Sequence, residues 1–246
     1  MIAHQMREKS PIMCLDFNTE GDKFATAGND VEVRIYDDEK KALIQTMKST
    51  PKHPGHNNRI FSLCFHKEIP NLLASGGWDK TVQFYDLRTG SVTNSIFSGQ
   101  ICGDAIDLKE HMLLTGAWDE VDQVQIFDIR NFKQMKLVDF PKDKSMGYCY
   151  TAQFTKIRNS YIYGVGCSNS NIVRMYDNEN NDLPIMDTEL YKTCYTVDYS
   201  YDGKYFAYGS GDGVIRILDI EKEQEEKKVE EDKKVVEVKS KDSKGK

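Results

Sequence analysis

Residues 55–92 read GHNNRIFSLCFHKEIPNLLASGGWDKTVQFYDLRTGSV. They contain three short runs rich in apolar, β-branched and aromatic residues, at 59–65, 71–77 and 81–86, with turn-forming residues between them. A fourth run follows at 91–97, after the turn LRTG. Runs of this length and composition predict strands that pair as antiparallel hairpins. The segment therefore predicts one small four-stranded sheet.

The same pattern recurs along the chain. An apolar or aromatic residue followed by Asp closes five segments, in steps of 42 or 49 residues, at Asp37, Asp86, Asp128, Asp177 and Asp219. A second marker is the end of the strand-like run upstream of each, at residues 17, 65, 108, 154 and 199. Two markers that share one period indicate a five-fold repeat. Because one small sheet cannot bury both of its faces, the units are expected to stack on one another.

Residues 55–97 resemble a repeat of the WD-repeat (WD40) β-propeller family. The resemblance lies in the opening Gly55-His56, the LASGG run, the turn residue Asp79 and the closing Tyr85-Asp86. The other four units match more loosely, and the resemblance covers about residues 10–220. It implies an all-β fold, a β-propeller of five four-stranded blades within residues 1–220. The predicted repeats are 10–49, 55–97, 101–140, 147–187 and 192–220.

Closure of the ring is left open by the sequence. Blades take roughly 40 to 45 residues each, so residues 10–220 hold five, as a five-bladed ring, an open ring or part of a longer propeller. The fifth unit lacks an outer strand, for which MIAHQM (1–6) and KKVVEVK (233–239) are candidates. Residues 221–246 contain 18 charged residues in 26, a composition that predicts a flexible tail.

Charge and cysteine usage exclude several classes of function. The net charge is −6, and the nine acids and nine bases of residues 221–246 cancel, so residues 1–220 carry all of it and no nucleic acid partner is expected. No apolar run approaches the roughly 18 to 20 residues that span a bilayer, so no membrane insertion is expected. The six cysteines form no CxxC pair, which favours a reducing compartment. We expect a soluble intracellular protein, cytoplasmic or cytoskeletal.

The resemblance also implies a structural network. In the family a His, a turn Asp, a Ser or Thr and an aromatic residue hydrogen-bond to lock each blade. The full set maps onto His56, Ser75, Asp79 and Tyr85, with Tyr85 where Trp is usual. Partial sets are Thr26 with Asp30, Thr115 with Asp119, and Asp212.

Two tryptophans are the candidates for partner binding. Trp78 and Trp118 stand immediately before the turn Asp in neighbouring units, and in the family this turn lies on the face where partners dock. We expect them to form an apolar platform, with Arg59 as a hydrogen-bonding anchor and with Asn29 and Asn169 at the equivalent turns. The alternative is that each Trp packs on its own blade and that Arg59 pairs with a nearby aspartate.

No motif for catalysis is present. The sequence has no Gly-rich phosphate loop, GxSxG or HExxH, and His53 with His56 lacks the further ligands that zinc requires. We therefore predict no catalytic residue, no metal and no cofactor. The predicted function is that of a non-enzymatic interaction scaffold, or a structural subunit of a larger intracellular complex, that docks protein partners on its loops. The alternative is an enzyme with its active site in the propeller channel.

Overall fold

The computed structural model describes residues 6–138, 147–179 and 183–222, which form five separate antiparallel sheets. In each sheet, strands that follow one another in sequence also lie side by side. The predicted all-β propeller of stacked blades is confirmed. None of the described helical turns has the length and hydropathy of a membrane-spanning helix.

The blades are numbered in chain order. Blade 1 contains β1 (Ile12–Phe17), β2 (Lys23–Gly28), β3 (Arg34–Asp37) and β4 (Ala42–Thr46). Blade 2 contains β5 (Ile60–Phe65), β6 (Leu72–Gly77), β7 (Thr81–Asp86) and β8 (Ser91–Phe97). Blade 3 contains β9 (Ile106–Lys109), β10 (Met112–Gly116), β11 (Val124–Asp128) and β12 (Lys133–Val138).

The last two blades follow the same order. Blade 4 contains β13 (Tyr148–Phe154), β14 (Ile162–Ser168), β15 (Ile172–Asp177) and β16 (Leu183–Glu189). Blade 5 contains β17 (Cys194–Tyr199), β18 (Tyr205–Ser210) and β19 (Ile215–Asp219), so three of its strands are described. The two candidate outer strands, 1–6 and 233–239, lie outside the described residues, apart from Met6.

A tight turn that contains an aspartate joins the second and third strands in blades 2 and 5. In blades 2 and 5 the turn aspartate accepts the backbone N–H two residues later, from Thr81 to Asp79 (3.2 Å) and from Val214 to Asp212 (3.0 Å). The residue after each aspartate has a positive φ, 62° at Lys80 and 80° at Gly213. This local hydrogen bond holds the tight turn and fixes the pairing of the two strands.

Apolar clusters fill the space between consecutive blades. Each cluster combines residues of two neighbours, for example Ile35 and Leu63 for blades 1 and 2, Phe84 and Ile106 for 2 and 3, Ile126 and Ala152 for 3 and 4, and Met175 and Val197 for 4 and 5. Fully burying one such side chain contributes about 1.5–3 kcal/mol. These contacts between sheets therefore stabilise the stacked arrangement of the blades.

Glycines in the second strands allow this close packing. A Cβ atom added at Gly116 would lie 2.6 Å from Cys149 Sγ, and one at Gly166 would lie 2.6 Å from Cys194 Sγ. In both places the next blade occupies the space that a side chain would need.

The first strand of each blade lies innermost and lines a central channel. Side chains link some of these strands to the following blade. Asp16 accepts the Phe65 backbone N–H (2.7 Å), and Asp107 in blade 3 accepts that of Phe154 (2.8 Å). The two aspartates occupy equivalent repeat positions, opposite the second-strand residues Ala25 and Leu114.

Candidate partner-binding face

The turns between second and third strands all lie at one end of the propeller. The residue before the turn aspartate, or at its equivalent, is Asn29, Trp78, Trp118, Asn169 or Gly211. Both tryptophans are half-buried, whereas Asn29 and Asn169 are exposed. The two largest side chains of this set therefore stand on adjacent blades.

Trp78 is held by three contacts. Its ring stacks on Phe61 with centroids 5.1 Å apart, and the Arg59 guanidinium lies 5.5 Å from the indole centroid. Its indole N–H donates to Cys102 Sγ (2.9 Å) in the chain segment that leads to blade 3. Burial raises the pKa of the Cys102 thiol to about 11, so the thiol is neutral near pH 7. Arg59 therefore contacts the Trp78 ring through a cation–π interaction. The two nearby aspartates have other partners, since Asp79 hydrogen-bonds to His56 and Asp119 pairs with Lys80.

Trp118 stands in a second group of rings. It stacks on Tyr148 at 4.5 Å and meets Tyr150 edge to face at 6.5 Å, and Tyr150 meets Tyr195 of blade 5 at 5.4 Å. The Trp118 backbone N–H donates to Gln100 O (2.7 Å), in the same segment that carries Cys102. We call Phe61, Trp78, Trp118, Tyr148, Tyr150 and Tyr195 the aromatic cluster.

The aromatic cluster combines apolar surface with polar groups. Tyr195 is exposed and the other five residues are half-buried, so none of the six is fully removed from solvent. A cavity of about 550 Å³ beside Trp118 is lined by Lys80, Gln100, Asp119, Val121 and Tyr148, among others. Large aromatic surfaces next to charged groups are typical of the centres of protein interfaces.

Four members of the aromatic cluster were not predicted from the sequence: Phe61, Tyr148, Tyr150 and Tyr195. Three of these four sit on β-bulges. The register shifts between Ile60 and Ser62, between Cys149 and Thr151, and between Cys194 and Thr196. The skipped residues are Phe61, Tyr150 and Tyr195. An alternation argument assumes an unbroken register and so gives these residues no distinct role. The available signal was their shared place in the repeat, because each lies four residues before the last residue of the first strand of its blade.

Asn29 and Asn169 are not brought into the aromatic cluster. Asn29 donates its backbone N–H to Pro11 O (3.2 Å), and Asn169 has a positive φ of 62°. In residues 6–138, 147–179 and 183–222, no hydrogen bond or ring contact given by the structure joins either side chain to the aromatic cluster.

The structure places the residues mapped for the blade 2 network in contact. His56 Nδ1 lies 2.8 Å from Asp79 Oδ2, and His56 Nε2 lies 2.7 Å from Ser75 Oγ, which is 3.1 Å from the Tyr85 hydroxyl. Since a carboxylate only accepts, Nδ1–H donates to Asp79. Burial opposes ionisation of Asp79, but hydrogen bonds from His56 and neighbouring N–H groups outweigh it and lower the pKa of this carboxyl.

Blade 1 has a network that includes Glu8, a residue that was not predicted from the sequence to take part. The Thr26 and Tyr36 hydroxyls donate to Glu8 Oε1, the latter at 2.8 Å, and Arg34 donates to Glu8 Oε2 at 2.9 Å. Arg34 also pairs with Asp30 at 2.5 Å. Thr26 and Asp30 are therefore linked through Glu8 and Arg34.

The partial sets of blades 3 and 5 are arranged differently. Thr115 donates to the Gln125 carbonyl (3.4 Å), whereas Asp119 accepts from Lys80 of blade 2 (2.8 Å) and from the Gln100 N–H (2.9 Å). Asp212 pairs with Arg216 at 2.7 Å, and this pairing lowers the pKa of Asp212.

The central channel has a volume of about 680 Å³ and carries carboxylates. Burial, followed by the nearby Asp107, raises the pKa of Asp104 to about 6. Asp107 itself accepts the N–H groups of Leu108 (2.9 Å) and Phe154 (2.8 Å), which gives it a structural role. Across the described part of the chain, no group of three or more His, Cys, Asp or Glu side chains is arranged to hold a metal.

Comparison with known proteins identifies similar repeats. The family model described as "WD domain, G-beta repeat" matches residues 47–86 and 189–219. THO complex subunit 3 of Arabidopsis thaliana is 24% identical over 217 residues, which cover 86% of this chain and 64% of that protein. Protein SOF1 of Saccharomyces cerevisiae is 25% identical over 214 residues, 85% of this chain and 40% of that protein. The chain thus spans less than two thirds of the length of either relative.

The relatives correct the expected location. The U5 small nuclear ribonucleoprotein 40 kDa protein of Dictyostelium discoideum is 29% identical over 129 residues, 50% of this chain and 33% of that protein. Its name is that of a nuclear particle, so the cytoplasmic or cytoskeletal expectation is wrong. Cysteine usage could not separate the cytosol from the nucleus, because both are reducing compartments.

The matched repeats correspond closely to two of the sheets. Residues 47–86 contain the first three strands of blade 2, and residues 189–219 contain the three described strands of blade 5. Blades 1, 3 and 4 repeat the same order of adjacent antiparallel strands. The matched repeats and the five similar sheets together support assignment of the chain to the WD-repeat (WD40) β-propeller family.

Proposed function

We propose that this chain is a non-enzymatic protein–protein interaction scaffold that docks a partner on the aromatic cluster, as a subunit of a larger complex. The observation that carries the proposal is that two groups of aromatic rings lie at the same end of the propeller and both contact the Gln100–Cys102 segment. Six rings from blades 2 to 5 lie at one end of the propeller, held by stacking and edge-to-face contacts with centroids 4.5–6.5 Å apart. Rigid sheets hold these loops in place, so a partner meets a preformed surface.

Arg59, Asn29 and Asn169 extend the proposed surface. Arg59 is exposed and already packed over Trp78 at 5.5 Å, so its donors are presented with little loss of side-chain entropy. The two asparagines lie at equivalent turns of blades 1 and 4 and would contact a partner large enough to cover the whole end.

The names of the relatives support a role in assemblies. They include a THO complex subunit, a small nuclear ribonucleoprotein protein and "Cell division cycle 20.1, cofactor of APC complex" of Arabidopsis thaliana, which is 29% identical over 129 residues. Fold alone does not identify a partner, because propellers with the same architecture hold different molecules.

Affinity purification of tagged protein with quantitative mass spectrometry tests the proposal. Trp78→Ala with Trp118→Ala should reduce capture of the principal partner about tenfold or more. Because both rings are half-buried, Tyr195→Ala provides a second variant at an exposed ring, and circular dichroism reports whether each variant folds. Tyr201→Ala, at a 97% exposed tyrosine on the opposite end, is the matched control. Unchanged capture by folded variants would exclude this face.

A further inference from the structure

Blade 5 exposes a face that is buried in every other blade. We call the face that a blade turns to the next blade its leading face. Ile217 on this face is 70% exposed, whereas the equivalent residues of blades 1 to 4 are at most 1% exposed: Ile35, Phe84, Ile126 and Met175. Ile215 is 77% exposed, and its equivalents Val82, Val124 and Val173 are fully buried.

Blade 1 exposes the complementary face. We call the face that a blade turns to the preceding blade its trailing face. Leu15 and Phe17 are 52% and 44% exposed, although the matching residues of blades 2 to 5 are at most 5% exposed: Leu63, Ile106, Ala152 and Val197 for Leu15, and Phe65, Leu108, Phe154 and Tyr199 for Phe17. Leu43 of the same blade is also exposed.

A polar contact of the blade interfaces is also incomplete. Asp198 of blade 5 is the equivalent of Asp16 and Asp107, each of which accepts a backbone N–H from the next blade. The Asp198 side chain is 68% exposed and pairs with Lys156 at 3.2 Å. The residue whose N–H would reach it in an added blade is the equivalent of Phe65 and Phe154, which in blade 1 is Phe17.

We propose that these faces join two copies of the chain, with the leading face of blade 5 in one copy packed on the trailing face of blade 1 in the other. The reason is that the described residues leave one uncovered face of each kind, and the two faces are built at the positions that make the four described blade interfaces. In the proposed contact, Ile215 and Ile217 pack against Leu15 and Phe17. Asp198 accepts the Phe17 N–H.

This interface is heterologous, because one copy contributes blade 5 and the other contributes blade 1. Assembly therefore continues head to tail until geometry stops it, and it depends on protein concentration. The aromatic cluster takes no part in the contact, so its proposed role is tested separately by the tryptophan variants.

Sedimentation velocity of the full chain over a range of concentrations tests the proposal. Wild-type protein should associate, and Ile217→Lys and Phe17→Lys should each weaken association about tenfold or more, because a buried unpaired charge is unfavourable. Both positions are exposed within one copy, so the variants should fold. Phe97→Lys is the control, since Phe97 is 78% exposed on the outer strand of blade 2.

Mixing the two variants gives the decisive result. Ile217→Lys retains a trailing face and Phe17→Lys retains a leading face, so an equimolar mixture should form a 1:1 dimer that neither variant forms alone. A wild-type monomer at every concentration, as expected if residues 223–246 or another protein cover these faces, would overturn the proposal. Association that persists in both variants, or that Phe97→Lys also removes, would overturn it as well.

Discussion

Glu8 in blade 1 occupies the place that His56 occupies in blade 2. Each residue lies four positions before the first residue of its blade, Ile12 and Ile60 respectively. Each also contacts a hydroxyl on the second strand, that of Thr26 or Ser75. The two blades thus close their first strand onto the rest of the sheet with different chemistry, a carboxylate in one and an imidazole in the other.

Glu8→Ala should destabilise blade 1. The side chain is 6% exposed and accepts from Thr26, Tyr36 and Arg34, so its removal leaves buried donors without an acceptor. Because Arg34 keeps Asp30, we expect a loss of about 2 kcal/mol in the free energy of unfolding. Urea denaturation measures it, with the exposed Glu20→Ala as control. Equal effects of the two substitutions would contradict the assigned contacts.

Asp79→Asn should destabilise blade 2 in a pH-dependent way. The hydrogen bonds that lower the pKa of Asp79 stabilise the folded state above the unfolded-state pKa of about 3.9. This stability is lost as the pH falls through the lower, folded-state pKa. Unfolding free energies at pH 7 should therefore favour the wild type by about 1–2 kcal/mol, and the difference should shrink below pH 4. A difference that is constant with pH would argue against this interpretation.

Gly166→Ala and Gly209→Ala form a matched pair for the blade interfaces. Both glycines lie at the same position of the second strand, in blades 4 and 5. A Cβ at Gly166 would meet Cys194 of the next blade at 2.6 Å, whereas one at Gly209 would meet only Thr196 Cγ2 at 3.1 Å. We expect a loss of about 2 kcal/mol for Gly166→Ala and a change below about 1 kcal/mol for Gly209→Ala. Thermal unfolding distinguishes the two, and a large loss at Gly209 would mean that this face is covered.

His66 should make stability fall in mildly acidic solution. Its Nε2–H donates to the Glu110 carbonyl (2.6 Å), and its Nδ1 accepts from the N–H groups of Glu68 and Ile69 (3.0 and 2.9 Å). Burial lowers the pKa of His66, so folding favours the neutral ring. The stability it contributes is present above the unfolded pKa of about 6.5 and is lost as the pH falls through the lower, folded pKa.

Chemical denaturation of His66→Gln from pH 7.5 to pH 5 measures this contribution. The variant should lose part of the pH dependence seen in the wild type, and His53→Gln, in the loop before blade 2, should retain it. Identical pH profiles for His66→Gln and the wild type would show that His66 does not contribute to the pH dependence of stability.

The order of the blades could be predicted from the sequence because two independent markers keep one period through residues 10–220. Strand alternation and Asp-containing turns report local structure, and both recur in every unit or nearly so. Trp78 and Trp118 could be predicted as candidates for the same reason, since each stands next to a turn aspartate in the repeat.

Four residues could not be predicted in this way: Glu8, Phe61, Tyr150 and Tyr195. Glu8 replaces the expected His, so a search for the family pattern passes over it, although its spacing from Ile12 matches that of His56 from Ile60. The three aromatic residues lie on bulges, where strict alternation fails. Exposure of the blade 5 and blade 1 faces depends on which sheets meet in space, which local pattern does not determine.

The bulges at Phe61, Tyr150 and Tyr195 place residues proposed for partner recognition and residues for packing between blades on the same strand. A residue skipped by the register has no partner on the neighbouring strand, so its size is not constrained by the pairing that builds the blade interfaces. Substitutions there can change what the rim recognises while the interior stays packed. Specificity in this wheel can therefore diversify by evolution at almost no cost to folding.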